Sequence, residues 1–170
     1  LLCYAPIPEH SNVSINLEEV RQLALSGTST QDLPHRVNVL NVATADFPSW
    51  MLMVKAKEDT YSISCPAFQV VYSNQTYIID VPPNEKTLLE FWPGDFNLQF
   101  HEQAYELLQS KMQQANTIFF THGHLDHIAG AFLSPEYASF KENILLTKEQ
   151  DNDLNRYPTL VQSQDLPQSP

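Results

Sequence analysis

Four side chains that bind borderline divalent metals, His122, His124, Asp126 and His127, fall within the short segment Thr121-His122-Gly123-His124-Leu125-Asp126-His127. Neutral imidazole and carboxylate are the donors that zinc-like cations prefer, and so many of them cannot crowd together without a cation to offset their repulsion and lost hydration. If the chain is extended there, the i, i+2 spacing of His122 and His124 turns both rings to one side, toward one ion. Asp126 and His127 then leave from the following turn in another direction, which favours a second ion. The expected arrangement is two divalent metals, most readily zinc with manganese or iron as alternatives: His122 and His124 hold the first, Asp126 and His127 the second. Gly123 lets the backbone pass close to the cluster without a Cβ clash.

An element must present these donors, and the residues before them supply it. Thr117, Ile118, Phe119 and Phe120 are β-branched and aromatic in a run too short for a helix, which reads as a buried strand ending where the histidines begin. His-x-His-x-Asp-His after an apolar strand, preceded by Thr121 and followed by the small pair Ala129-Gly130, resembles the metallo-β-lactamase fold superfamily of metal-dependent hydrolases. Asp80, closing an Ile-Ile-Asp strand, is similar to that family's strand-end Asp, a scaffold residue near the metals. Here Val81-Pro82-Pro83 follows it in place of a small residue and a glycine.

The resemblance implies an α/β fold, the first half of a metallo-β-lactamase-like αββα sandwich with an extra N-terminal helix. It also implies a water nucleophile, activated as hydroxide by the metals, that attacks an ester, lactone, thioester or amide-type bond of a small-molecule substrate. Asp126 is the expected catalytic residue, orienting that nucleophile or carrying a proton to the leaving group. The segment looks closer to lactonase and glyoxalase-II-like members than to nucleases. No histidine follows His127, whereas the family places a further His on a later strand, a bridging carboxylate and usually a final His. The part that can be matched runs from about residue 37 to 155. The expectation is therefore a fragment or shortened protein that pairs with a missing C-terminal half or another chain. Two other readings stand beside the hydrolase: a mononuclear iron, sulfur-oxidising member, and a non-catalytic binding or assembly half-domain.

Composition narrows the classes. A chain of 170 residues with 42% hydrophobic and 11% aromatic content can build one core. Its net charge of −11, with nine Lys and Arg, argues against a phosphate-backbone partner, so no nucleic acid is expected. No apolar run is long enough for a transmembrane helix. Cys3 and Cys65 define no disulfide framework, and Cys65 reads as a buried free thiol. The chain opens on Leu1-Leu2-Cys3 without a methionine, which leans toward an exported, periplasmic protein. Asn12-Val13-Ser14 and Asn74-Gln75-Thr76 match the glycosylation acceptor pattern.

Along the chain, residues 1–36 read as an N-terminal extension and 37–170 as the main domain, incomplete at its C-terminus. Asn16 with Glu19 predicts a capped helix ended by Gly27. Period-two alternation predicts a strand at 37–42, and the apolar run 50–54 a second one before a charged turn at 55–60. A hairpin is predicted from 67–72 and 76–81. Residues 88–96 read as an aromatic loop, 97–115 as a long helix and 128–133 as a short one. A strand at 143–146, a polar helix at 148–155 and an end without apolar period after Pro158 complete the reading.

Overall fold

The computed structural model describes residues 14–27, 29, 33–53, 59–154 and 157. Cys3, the acceptor pattern at Asn12, most of the 55–60 turn and the end after Pro158 lie outside the described residues. The chain divides into two compact units at Leu33/Pro34. The first unit contains helix α1 (Leu17–Leu25), whose N-cap Asn16 accepts the backbone N–H groups of Glu18 and Glu19 as the sequence predicts. Leu17, Val20, Leu23 and Leu25 on it are exposed.

The second unit is built on a six-stranded mixed sheet in the order β4-β1-β2-β3-β5-β6. Strands β1 (Arg36–Pro48) and β2 (Thr60–Val71) form a long antiparallel hairpin. Strand β3 (Thr76–Ile79) continues it antiparallel, and β5 (Thr117–Phe119) and β6 (Ile144–Leu145) add in parallel. Strand β4 (Gln99–Phe100) pairs with β1. Six helices belong to this unit among the described residues: α2 (Ser49–Leu52), α3 (Glu85–Phe91), α4 (Glu102–Met112), α5 (Leu125–Phe132), α6 (Tyr137–Phe140) and α7 (Lys148–Leu154).

Alternation along the strands sends every second residue to a face covered by helices. Val42, Ala67, Ile78 and Ile118 meet Leu108 and Met112 of α4, Ile128 and Phe132 of α5, Phe140 and Leu154 in one buried cluster. A smaller cluster forms where Ala43 and Cys65 meet Leu88 of α3. The two clusters use adjacent residues of β1 because the register shifts between Asn41 and Ala43, opposite Pro66. Proline has no N–H for the ladder, so a bulge at this point removes a pairing position that could not be satisfied. The opposite face is apolar: Val37, Val39 and Leu145 are exposed there, and Val70, Tyr72, Tyr77, Ile79 and Phe119 line an open depression.

Four predicted elements are corrected. The run at 50–53 is a helical turn, because the Ser49 N–H donates to Asp59 O at 2.8 Å and Ser49 O accepts from Met53 N–H at 2.9 Å, which closes the hairpin end; the strand instead begins at Thr60. The supposed loop at 88–96 begins as α3, capped by Asn84 Oδ1 on the Thr87 N–H and anchored by buried Leu88. Its aromatics pack on Phe47, stacked with Phe96 at 4.6 Å and edge-on to Trp92 at 5.1 Å. The helix at 97–115 starts only at Glu102, since Asn97 takes a positive φ of 47° and β4 intervenes. Helix α5 starts at Leu125, not 128, so Asp126 and His127 lie in its first turn and not in a loop.

Candidate metal centre

The four donors follow the C-terminal end of β5, which lies beside that of its parallel neighbour β3. Strand β3 ends at Ile79 and delivers Asp80; β5 ends at Phe119 and delivers Thr121, His122 and, as the N-cap of α5, His124. Asp80 has φ 60°, a left-handed conformation that Asp tolerates better than most residues. That single residue makes the turn after β3. It redirects the chain so that Val81 N–H reaches His127 O at 2.7 Å and Val81 O accepts from Gly130 N–H at 2.9 Å. A Cβ on Gly130 would meet Pro82 O at 2.1 Å, so the small residue after the histidines is what lets α5 seat against this turn.

The structure brings the donors together. The His122 ring centroid lies 4.4 Å from that of His124 and 4.1 Å from that of His127. Asp126 Oδ2 is 3.6 Å from His127 Nε2. Among the described residues no three His, Cys, Asp or Glu side chains already close on a single ion.

Asp80 is the organising group, only 3% exposed. Its carboxylate accepts the Thr121 N–H at 2.7 Å and the Thr121 hydroxyl at 2.9 Å, and lies 2.9 Å from His127 Nδ1. An ionised carboxylate only accepts, so His127 carries its hydrogen on Nδ1 and presents Nε2 outward. The same logic passes through Thr121. Its hydroxyl has one hydrogen, spent on Asp80; toward His122 Nδ1, 3.0 Å away, the oxygen must accept. His122 therefore also holds its hydrogen on Nδ1 and leaves the Nε2 lone pair free. A carboxylate behind a histidine is the usual way in which proteins orient imidazole ligands. Both the donor chemistry and the tautomers fit a divalent metal, with His122, His124, Asp126 and His127 as the residues that would hold it.

Electrostatics follow from the same contacts. Burial and the neighbouring imidazoles of His127 and His124 push His122 below the ordinary histidine value, against the pull of Asp126 and Asp80, which favours the neutral ligand form. The hydrogen bond to Asp80, aided by the charge of Asp126 and opposed by burial, raises His127. Burial would raise Asp80, but its bonds from His127 and Thr121 outweigh it and hold the carboxyl below its usual range. Burial, and then the negative charge of Asp126, push the Cys65 thiol up to about 12. Cys65 is thus a neighbour of the site in space and an inert one.

Sequence reasoning missed three contributors: the bridging hydroxyl of Thr121, and Gln150 and Asp153 of α7. Gln150 Nε2 donates to Phe120 O at 2.7 Å, just ahead of the histidines. Nothing in local spacing ties residue 150 to residue 120.

The chain matches no protein-family model and no curated protein. Among solved structures it is similar to a B. thuringiensis AiiA variant with N-decanoyl-L-homoserine bound at its active site, at 10% identity and a TM-score of 0.54, covering 71% of this chain and 51% of that one. It is also similar to an N-acyl homoserine lactone hydrolase with N-hexanoyl-L-homoserine bound at its catalytic metal centre, at 11% identity and a TM-score of 0.47, covering 64% of this chain and 46% of that one. The chain spans about half the length of the solved proteins it matches. Its sheet order, one-sided helical layer and likeness in structure give the second unit the metallo-β-lactamase-like fold.

Proposed function

We propose that this chain carries the metal-binding segment of a metal-dependent hydrolase acting on an ester, lactone, thioester or amide-type bond of a small molecule. The observation that supports it best is the Asp80 carboxylate, which fixes His127 Nδ1 directly and His122 Nδ1 through Thr121, with His127 Nε2 3.6 Å from Asp126 Oδ2.

A bound divalent metal would supply an acidified water and polarise the scissile carbonyl. The chain's own residues do the rest. Asp80 and Thr121 hold the imidazoles in the ligand tautomer. Asp126, held in the first turn of α5, keeps a carboxylate where a proton leaving the attacking water can be taken up and passed to the departing group. The substrate class is read from the B. thuringiensis AiiA variant, which holds N-decanoyl-L-homoserine at its active site, and agrees with the acidic chain.

Elemental analysis after equilibration with zinc, manganese or iron tests the reading, followed by a panel of lactones, thioesters and p-nitrophenyl esters. Metal bound by the wild type and lost in His122→Ala and His127→Ala supports it. No metal retained at micromolar free zinc overturns it, and one iron with oxygen-dependent turnover would point to sulfur oxidation.

A second reading, an assembly or binding half-domain, is favoured by the apolar sheet face on which Val37, Val39 and Leu145 are exposed. Pairing of that face with a C-terminal half or another chain is compatible with the hydrolase, and catalysis separates the two readings.

A further inference from the structure

We propose that Asp153, on α7, is a positioning residue for the segment carrying His122 and His124, and that residue 123 is glycine because Asp153 occupies the space a side chain there would need. This rests on the metal-binding reading above. A Cβ on Gly123 would lie 2.7 Å from Asp153 Cβ and 2.9 Å from Oδ2. Non-bonded carbons prefer about 3.5–4.0 Å, so an alanine must displace either the segment or the helix. Backbone freedom is not the reason for this glycine: the only glycine in the left-handed region among the described residues is Gly27.

Helix α7 is a fixed platform. Leu154 is fully buried in the main core, and Gln150, 7% exposed, uses both ends of its amide. Its Oε1 accepts the Thr147 N–H at 2.9 Å while Nε2 holds Phe120 O at 2.7 Å. Two successive turns of one helix thus grip the same stretch, Gln150 at its entry and Asp153 between the two histidines. Asp80 sets which nitrogen each of His122 and His127 presents; Asp153 sets where the backbone between His122 and His124 runs. Metal ligands tolerate displacements of only about 0.5 Å, so the contact bears directly on affinity.

Zinc affinity of the full chain, measured by competition with a chromogenic chelator, tests this on wild type, Gly123→Ala, Asp153→Ala, Asp153→Asn and the Gly123→Ala/Asp153→Ala pair. Melting of the metal-free forms is followed in parallel. Both single alanine variants should bind zinc about tenfold or more weakly, the range seen when supporting contacts of metal ligands are lost. Asp153→Asn, which keeps the shape, should stay near wild type, and the double variant should recover most of what Gly123→Ala loses. If wild type binds zinc and Gly123→Ala binds as tightly, or the two losses simply add, the proposal is wrong. Should Gly123→Ala not fold, the contrast between Asp153→Ala and Asp153→Asn decides: equal affinities overturn it. A wild type that binds no zinc overturns the metal reading itself, and this proposal with it.

Discussion

Asp80 Oδ2 lies 2.9 Å from His127 Nδ1, and the same carboxylate reaches His122 through the hydroxyl of Thr121. One buried acid therefore selects the tautomer of two histidines that are five residues apart in sequence. Asp80→Ala strands those donors at a cost on the order of 1–3 kcal/mol, with ~1–2 kcal/mol more for placing Ala in left-handed backbone. Asp80→Asn tolerates that backbone and should lose less stability. Both should lose about 10–100-fold in metal affinity. Urea unfolding and chelator competition separate the two effects, and unchanged affinity in Asp80→Asn would show that the carboxylate does not act on the ligands.

Thr121→Val keeps the shape at position 121 and removes the bridge. His122 is then free to carry its hydrogen on either nitrogen, so zinc should bind several-fold more weakly while the fold stays intact. NMR of the histidine ring nitrogens reads the tautomer directly. A His122 that remains protonated only on Nδ1 in the variant would count against the relay.

The metal-free chain should show opposite pH limbs. Asp80 is held below its ordinary pKa, so its contribution to stability is present above about pH 4, the unfolded value, and is lost as pH falls through the lower native one. His127 is raised, so its contribution is complete below about pH 6.5 and disappears as pH climbs through the higher native value. Stability should peak in the mildly acidic range, and Asp80→Asn should flatten both limbs. Urea midpoints from acidic to alkaline pH give the comparison.

Cys65 is buried and its thiol is pushed up to about 12 by burial and the charge of Asp126. Iodoacetamide at mildly alkaline pH should leave it unmodified in the native chain and label it on unfolding, as read by peptide mass. Rapid native labelling would mean that the α3 side of the hairpin opens.

Gly130→Ala drives a methyl group against Pro82 O. Overpacking of this kind costs about 1–3 kcal/mol and sometimes more. Because the contact lies between α5 and the turn after Asp80, metal affinity should fall together with the urea midpoint. A variant as stable as wild type would mean that the helix slides without cost.

That His122, His124, Asp126 and His127 come together is legible because such a cluster is written in residue type and close spacing. The strands of the hairpin and β5 were legible for a similar reason, since alternation and β-branching are local. What could not be read is what depends on partners far away in sequence. Trp50 to Met53 have the composition of a strand, and only the pairing of Ser49 with Asp59 makes them a turn. Leu88 becomes a helix anchor only because Ala43 and Cys65 wait for it. The role of Asp153 against Gly123 likewise joins residues thirty positions apart through a helix whose own sequence is merely polar.

The bulge beside Pro66 makes β1 behave like two gear wheels keyed one tooth apart on a single shaft. Ahead of it Asn38, Leu40 and Val42 face the helices; beyond it Ala43, Ala45 and Phe47 do. Removing Val42 would restore an unbroken pleat with Asn38 and Leu40 still facing the helices and Ala43, Ala45 and Phe47 unmoved, because Asn41↔Pro66 and Ala43↔Cys65 are already consecutive pairs; what is lost is one buried side chain of the large core. The length of the strand is therefore held less tightly at the bulge than along the regular ladder, where one residue fewer turns every following side chain to the other face. Single-codon deletions should be better tolerated in functional variants at this point than within the regular ladder on either side.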